Sequence, residues 1–493
     1  VIVKNLTRDK VYELGSELPR NIHWPKIIAD NNNRIWVFVR SEAPQTGRMR
    51  YNVLIYVFSK DKWYGPKILG SERSNGRNHK IDVAIHKNEI GVVWEGNEKK
   101  RKLSQNMHIE SSWINICKIK TEPLLGQMKV AEYSVLETQQ LQPGIKSEGP
   151  TIIKEKQGRY YLFFGNTHIH TECSPCYSSG NQSIDFNYRH AKDIMQSDFS
   201  VITDHAEWLN AFDWRELHKI SAIYNQPGFY ITFPGYEYTS NKGHVHVINR
   251  VDHLPYYGAN NPDTDTMAKL WEKLDPEQSM CIPHHMADRM WTYAWEGQFD
   301  PTYTPVVEIY QDARGSCEYR DCPGTTGYPQ TEEDGHYVQD ALMKGYRFGI
   351  IASSDHFGIA TAAVYARELT RDAIFDALKK RRCYGTTGAK IYLYFAINDQ
   401  IMGSKIECTS DLTLKLKIKG TKDLQEISIF RNNCVLFCFH PGKTDFQTVV
   451  KFEQKSNDCF YYVRVIQTDK EMAWSSPIWV STDKNKNGHL SRS

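Results

Sequence analysis

The sequence predicts an α/β domain, built on a parallel sheet or barrel and set between two β-rich segments. Three observations predict it. Strand-like and helix-like patterns alternate between residues 160 and 390. Strand–turn–strand patterns recur before residue 160, and short strands return after residue 391. The expected division is a β-rich, blade-like repeat region at 1–159, the α/β domain at 160–390, a C-terminal β-sandwich at 391–482 and a polar tail at 483–493. At 493 residues the chain exceeds one ordinary domain.

In the first region an apolar pair at 27–28 leads through a turn cluster at 30–33 into a strand at 34–39. A strand follows at 51–58, and the same pattern returns at 81–94 and at 150–164. Such spacing, roughly 50–70 residues, suggests blade-like repeats. Three are too few to close a propeller, so blades lie upstream or the region is a sandwich of similar hairpins. In the middle region strands are expected at 160–164, 199–203, 229–233, 245–249, 280–282, 306–310 and 348–353, with helices at 212–224, 267–274 and 337–344. Thr370 caps a helix over 371–382, whose Ala373/Ala377 and Ile374/Leu378 pairs stand at i, i+4. Its basic end, 379–382, reads as a solvated run at the negative helix pole. After 390, strands at 390–396, 411–418, 427–431, 434–439, 461–467 and 478–480 suggest a sandwich of immunoglobulin size.

Composition excludes some classes. The net charge is +3, and no basic tract is interleaved with aromatics, so no nucleic-acid partner is expected. No apolar stretch reaches the length of a membrane span. The chain begins with Val, which is compatible with a trimmed leader. Eleven cysteines, an odd number and mostly isolated, fit a reducing, cytoplasmic setting better than a disulfide framework. Cys173 and Cys176 form a CxxC with no second pair to complete a structural zinc site.

The chemistry gathers at the strand ends. His168 and His170 end the aromatic run 160–164, and on a strand their spacing of two points both imidazoles to one side. The next strand ends in Asp204 and His205, and the following one in Glu237. His244 and His246 form a second HxH; His284 and His285 follow a later strand; another strand carries Glu308; Asp355 and His356 follow the last. Any one of these has an ordinary structural reading: Asp204 as a turn residue, Glu308 paired with Arg314. Together they hold about half of the 18 histidines, which independent accidents would scatter. Imidazoles and carboxylates without clustered thiolates suit zinc, manganese or iron. A carboxylate such as Glu237 can bridge two ions, and two ions can activate water to hydroxide for hydrolysis of an ester, phosphoester or amide-like bond.

In this order the residues resemble the PHP (polymerase and histidinol phosphatase) superfamily, over roughly 160–390. The flanking regions resemble a poorly characterised bacterial branch of PHP-like metallohydrolases, to which carbaryl-type carbamate hydrolases look related. The resemblance implies a distorted (β/α)7 barrel with two or three divalent metal ions. It implies that His168, His170, Glu237 and Asp355 hold the first ion. Glu237, His284 and His244 or His246 would hold the second, and His205 and His356 would contribute to a third. Two departures fall on that third ion: Asp355 and His356 are adjacent where the family has Asp-x-His, and after the HxH only Glu172, Cys173 or Cys176 is available. His285, and His205 if not a ligand, are candidates for the general acid, and Arg289 for an anion clamp.

The leading expectation is therefore a metal-dependent hydrolase of a small phosphoester. One alternative is a carboxylic or carbamate ester hydrolase with the same site and an aromatic pocket from 290–295. Another is a glycan- or partner-binding protein with a degenerate barrel. Arg289, Arg314 and Arg320 are the cations a phosphate pocket would use.

Overall fold

The structure, a computed structural model, describes residues 2–5, 10–14, 22–42, 51–70, 81–97, 112–131, 133–136, 152–155, 158–174, 183–288, 291–312, 314–324, 334–356, 358–407, 411–453 and 458–481. Cys176 of the CxxC, Arg289 and the tail 483–493 lie outside them. Residues 1–145 with 175–183 form one compact unit, and 146–174 with 184–493 form another. No helix of the described residues is long and apolar enough to cross a membrane.

The first unit is built of hairpins. Ile22–Ala29, Ile35–Glu42, Tyr51–Ser59 and Lys62–Leu69 run as an antiparallel meander. The first turn is held by Asp30, whose Oδ1 accepts from the backbone of Asn32 and Arg34 at 2.9 and 3.0 Å. The last uses Lys60 and Asp61 with φ of 50° and 56°, the pair of positive values that matches strand twist in a two-residue hairpin. Ile81–His86, Glu89–Asn97 and Ser112–Lys120 form a three-stranded sheet, and Ile2–Asn5, Lys10–Leu14 and Tyr133–Leu136 another. Trp36, Phe38, Ile55 and Val57 share one core with Ile81, Ile90 and Trp94. These are separate antiparallel sheets, and no radial array of blades is found among the described residues. The hairpin read as a third repeat belongs elsewhere. Ile152–Glu155 pairs with Gly158–Ile169, and that long strand is central to the second unit.

In the second unit the hydrogen-bonded order is open and mixed. It begins Ser279–His284, Gly243–Asn249, Ile231–Ser240, Phe199–Ile202, Gly158–Ile169, Thr361–Ala366 and Cys383–Thr386. Only Gly158–Ile169, Phe199–Ile202 and Ile231–Ser240 are parallel neighbours within this run. Val306–Gln311 and Gly349–Ser353 form a parallel pair in another sheet. A closed seven-stranded β/α barrel is therefore not what the hydrogen bonds describe. The chain explains part of the difference. Only Asn241 and Lys242 separate Ile231–Ser240 from Gly243–Asn249, which allows a hairpin but no crossover helix.

Helices are few, and their caps are encoded locally. Asn210 accepts from the backbone of Phe212 and Asp213 to start Ala211–Tyr224. Thr370 caps Arg371–Lys379 by accepting from Ala373 N at 3.2 Å. That helix ends earlier than the sequence suggests, at a left-handed Arg381 with φ 58°. Its basic end is not simply solvated. Lys379 donates to the carbonyls of Pro276 and Thr302, and Arg382 is buried against Tyr160.

The C-terminal strands make two layers around one core. One sheet holds Tyr392–Ile397, Asp411–Lys419 and Asp445–Glu453; the other, Leu424–Arg431 and Asp458–Gln467, continues the large sheet through Met472–Ser475. Phe395, Leu414 and Leu416 meet Ile427, Ile429 and Val463 between the layers. A buried carboxylate, Glu318, ties this region to the loop after Val306–Gln311. It accepts from Tyr462 Oη at 2.7 Å, Trp474 Nε1 at 3.0 Å and Arg464 Nη1 at 3.1 Å. Removing it leaves Arg464 buried with less compensation. Glu318→Ala should destabilise the second unit by about 3–5 kcal/mol, read as a lower denaturation midpoint; an unchanged midpoint contradicts this role.

Candidate metal centre

Strand register assembles the centre. In the meander of Ile231–Ser240, Gly243–Asn249 and Ser279–His284, Glu237 lies opposite His246, while Thr239, His244 and His284 form a cross-strand row. Directly opposed residues share a face, as do residues two apart. The three strands therefore turn Glu237, Thr239, His244, His246 and His284 to one side.

Two isolated bridges bring in the rest. Ile169 bridges to Asp355, with His170 N donating to Asp355 O and Asp355 N to His168 O, each at 3.1 Å. Asp355 thus lies beside both histidines of the first HxH. His205 bridges to Glu237, with Ala206 N donating to Glu237 O at 2.8 Å and Glu237 N to Asp204 O at 3.0 Å. Asp355 and His285 carry positive φ, 68° and 37°. For non-glycine residues this is a strained conformation that surrounding structure must hold.

Glu237 is the hub. Its Oε2 lies 2.9 Å from His170 Nε2 and 3.3 Å from His168 Nε2. Its Oε1 lies 2.7 Å from His244 Nδ1, 3.3 Å from His284 Nε2 and 3.6 Å from His205 Nδ1. Asp355 Oδ1 closes the first group at 3.1 Å from His170 Nε2, and His356 Nε2 stands 3.4 Å from the same oxygen. All these side chains are buried except His356, which is partly so. His205 and His356 each stack on His170 at 4.7 Å.

The electrostatics follow from burial and mutual approach. Burial alone would raise Glu237, but the histidines around it, His205 and His284 foremost, hold it well below the ordinary carboxylate range. Burial opposed by His356, His168 and His170 does the same for Asp355. Burial would depress His170, yet Asp355 and Glu237 lift it to about 9. Burial holds His205, His246 and His285 well below the usual histidine range, and His356 at about 4.

The donor set fits divalent ions. His168 and His170 aim Nε2 atoms at each other from 3.2 Å, with two carboxylate oxygens against them. The residue groups able to hold an ion include His168–His170–Glu237, Glu237–His244–His284–His285 and His170–Asp355–His356. Nitrogen and oxygen ligands without thiolate suit zinc, manganese or iron.

Not every expected residue arrives. Asp204 turns away and accepts from Thr171 N at 2.7 Å and Thr171 Oγ1 at 2.6 Å, which ties the HxH segment to the next strand. His246 faces His284 Nδ1 at 3.4 Å and Glu308 Oε2 at 3.8 Å, behind the Glu237 groups. His285 packs on His284 and His244, and its Nδ1 is buried without a hydrogen-bond partner among the described residues. Arg320 pairs with Asp334 at the surface. Arg314, by contrast, is anchored on Asp288 and holds Nε 3.9 Å from Asp355 Oδ2. Glu308 is therefore not paired with Arg314; it lies 3.4 Å from His168 Nδ1.

Sequence reasoning passes over Ser174, Thr239 and Trp208, and it places Glu308 at a strand end without a role in holding an ion. Ser174 Oγ accepts from His205 N at 2.8 Å and lies 3.2 Å from His170 Nδ1. Thr239 Oγ1 lies 2.6 Å from His205 Nδ1; its i+2 spacing from Glu237 was the available signal. Of the aromatic run 290–295, Trp291 stands 5.0 Å from His244, whereas Tyr293 and Trp295 are core.

A family model described as a protein of unknown function (DUF3604) matches residues 351–414, which include Asp355 and His356. An uncharacterized protein of Chlamydia pneumoniae is 28% identical over 307 residues, 54% of this chain and 49% of that protein. One from Chlamydia trachomatis serovar D is 30% identical over 251 residues, 43% of this chain and 40% of that protein. The chain spans about half the length of these relatives, or less. Among solved structures, a two-domain protein from Bacteroides vulgatus ATCC 8482 is described as containing a predicted PHP-like metal-dependent phosphoesterase. It is similar at a TM-score of 0.36 and 13% identity, over 68% of this chain and 98% of that one. PsfC from Pseudomonas syringae PB-5123 is similar at a TM-score of 0.31 and 16% identity, over 45% of this chain and 90% of that one.

Because Asp355 and Glu237 lift His170 to about 9 in the metal-free protein, an ion held through His170 at pH 8 would have to displace its proton. Zinc titration at pH 8, by calorimetry in buffers of different ionisation enthalpy, should show net proton release. Zinc uptake with no proton release would contradict the ligand role of His170.

Proposed function

We propose that this chain is a metal-dependent hydrolase that cleaves a small phosphoester at a two-ion centre. The observation that carries the reading is the division of Glu237, one oxygen toward His168 and His170 and the other toward His244 and His284. His168, His170, Asp355 and Glu237 would hold one ion, and Glu237, His244 and His284 the other. His205 and His356, stacked on His170, would complete a third position if one exists. When bound, such ions supply an activated water and neutralise charge on substrate oxygens.

The chain's own residues do the rest. Arg314 supports an anionic substrate. Its guanidinium is anchored by Asp288, and its buried Nε makes no hydrogen bond among the described residues. An entering phosphoryl oxygen can take that donor. His285 is the residue we assign to the leaving group. It packs on His284 and His244, and its Nδ1 is buried without a hydrogen-bond partner among the described residues. Trp208, 4.6 Å from His205, and Trp291 give the centre aromatic walls. Those rings favour a second reading, an aryl carboxylic or carbamate ester at the same centre.

Metal-loaded protein should hydrolyse p-nitrophenyl phosphate well ahead of p-nitrophenyl acetate or an aryl carbamate. Arg314→Leu should lower kcat/KM for the phosphate by about 10²-fold and leave the acetate nearly unchanged. Preference for the acetate or carbamate would establish the second reading. Turnover of none of them, with metal bound, would favour a binding protein.

A further inference from the structure

We infer that Glu308 is a positioning residue of the metal centre: it accepts the Nδ1 proton of His168 and thereby turns His168 Nε2 toward the ion. The inference rests on the metal centre proposed above.

His168 is fully buried and has two different sides. Its Nε2 meets His170 Nε2 at 3.2 Å, Glu237 Oε2 at 3.3 Å and Asp355 Oδ1 at 3.7 Å. Its Nδ1 lies 3.4 Å from Glu308 Oε2, a buried oxygen with no hydrogen bond among the described residues, and 3.4 Å from the side-chain amide nitrogen of Gln311. Behind the centre, His168, His246, His284 and Glu308 bring ligand atoms within 4.8 Å of one another, all buried. This deep group is the right composition for an ion of its own.

The two groups compete for the same rings. A neutral imidazole has one lone pair and one N–H. His168 faces the Glu237 group with Nε2 and the Glu308 group with Nδ1; His284 likewise faces Glu237 with Nε2 and His246 with Nδ1. Each ring can give its lone pair to one side only. The outer side offers two carboxylates, Glu237 and Asp355, against Glu308 alone on the inner side. A cation is therefore held outside, and the Nδ1 protons point inward. Glu308 is the acceptor for that of His168, and Gln311 can turn its amide oxygen to the same proton. A carboxylate behind a ligating histidine fixes its tautomer and strengthens it as a ligand.

The test uses the full chain, with zinc alone as probe against a competing chelator. Glu308→Gln should bind the same number of zinc ions as the unsubstituted protein, but about 10–100-fold more weakly. The metal-free variant should melt no lower than the metal-free unsubstituted protein. Independently of any variant, imidazole 15N spectra of the zinc-loaded unsubstituted protein should report His168 protonated at Nδ1. Unchanged zinc affinity in Glu308→Gln would remove the role and leave the hydrolase intact. Loss of a whole zinc equivalent would make Glu308 a ligand, and a lower melting point of the metal-free variant would make it a folding residue; either overturns the inference. So does His168 protonated at Nε2. An unsubstituted protein that binds no zinc removes the metal centre itself, and this role with it.

Discussion

A single buried carboxylate, Glu237, stands between two groups of imidazoles and shares its oxygens between them. Burying a carboxylate is costly unless positive charge or hydrogen bonds compensate it. Here the neighbours are histidines, themselves buried and competing for protons. The approach of those imidazoles holds Glu237 well below the ordinary carboxylate range. The surrounding architecture reads as the means of holding this arrangement.

Several devices hold it. The cross-strand row of Thr239, His244 and His284 requires the short hairpin at Asn241–Lys242. The placement of Asp355 requires its backbone bridge to Ile169 and a left-handed φ that few residues adopt without support. Asn166 helps provide it: its Nδ2 donates to Ser354 Oγ and its Oδ1 accepts from His168 N. Asp204 clasps Thr171 from the next strand. Glu308 stands behind His168. The residues of the centre come from distant parts of the sequence and are held together by such local contacts.

Much of the centre was legible because imidazoles and carboxylates gather at strand ends, a pattern that needs no register to see. What remained hidden depends on register and direction. Alternation puts His244 and His246 on one face, but only strand pairing decides that His244 lies 2.7 Å from Glu237 while His246 turns to Glu308. Asp204 was a candidate as a carboxylate at a strand end; neighbours along an extended chain point opposite ways, and Asp204 meets Thr171 where His205 faces Glu237. The antiparallel neighbours within the large sheet were not legible, because buried strands look alike whether parallel or antiparallel. The β character of both flanking regions was readable from alternation and turn residues. The continuity of the C-terminal strands with the sheet that carries Glu237 was not, since it rests on a pairing of Cys383–Thr386 with Met472–Ser475 across long sequence separation.

The most direct measurement is anomalous diffraction from crystals of the zinc-loaded protein. Two peaks about 3.5–4 Å apart, one beside each oxygen of Glu237, are the predicted result. A single peak away from Glu237, or one among His246, His284 and Glu308, would contradict the account.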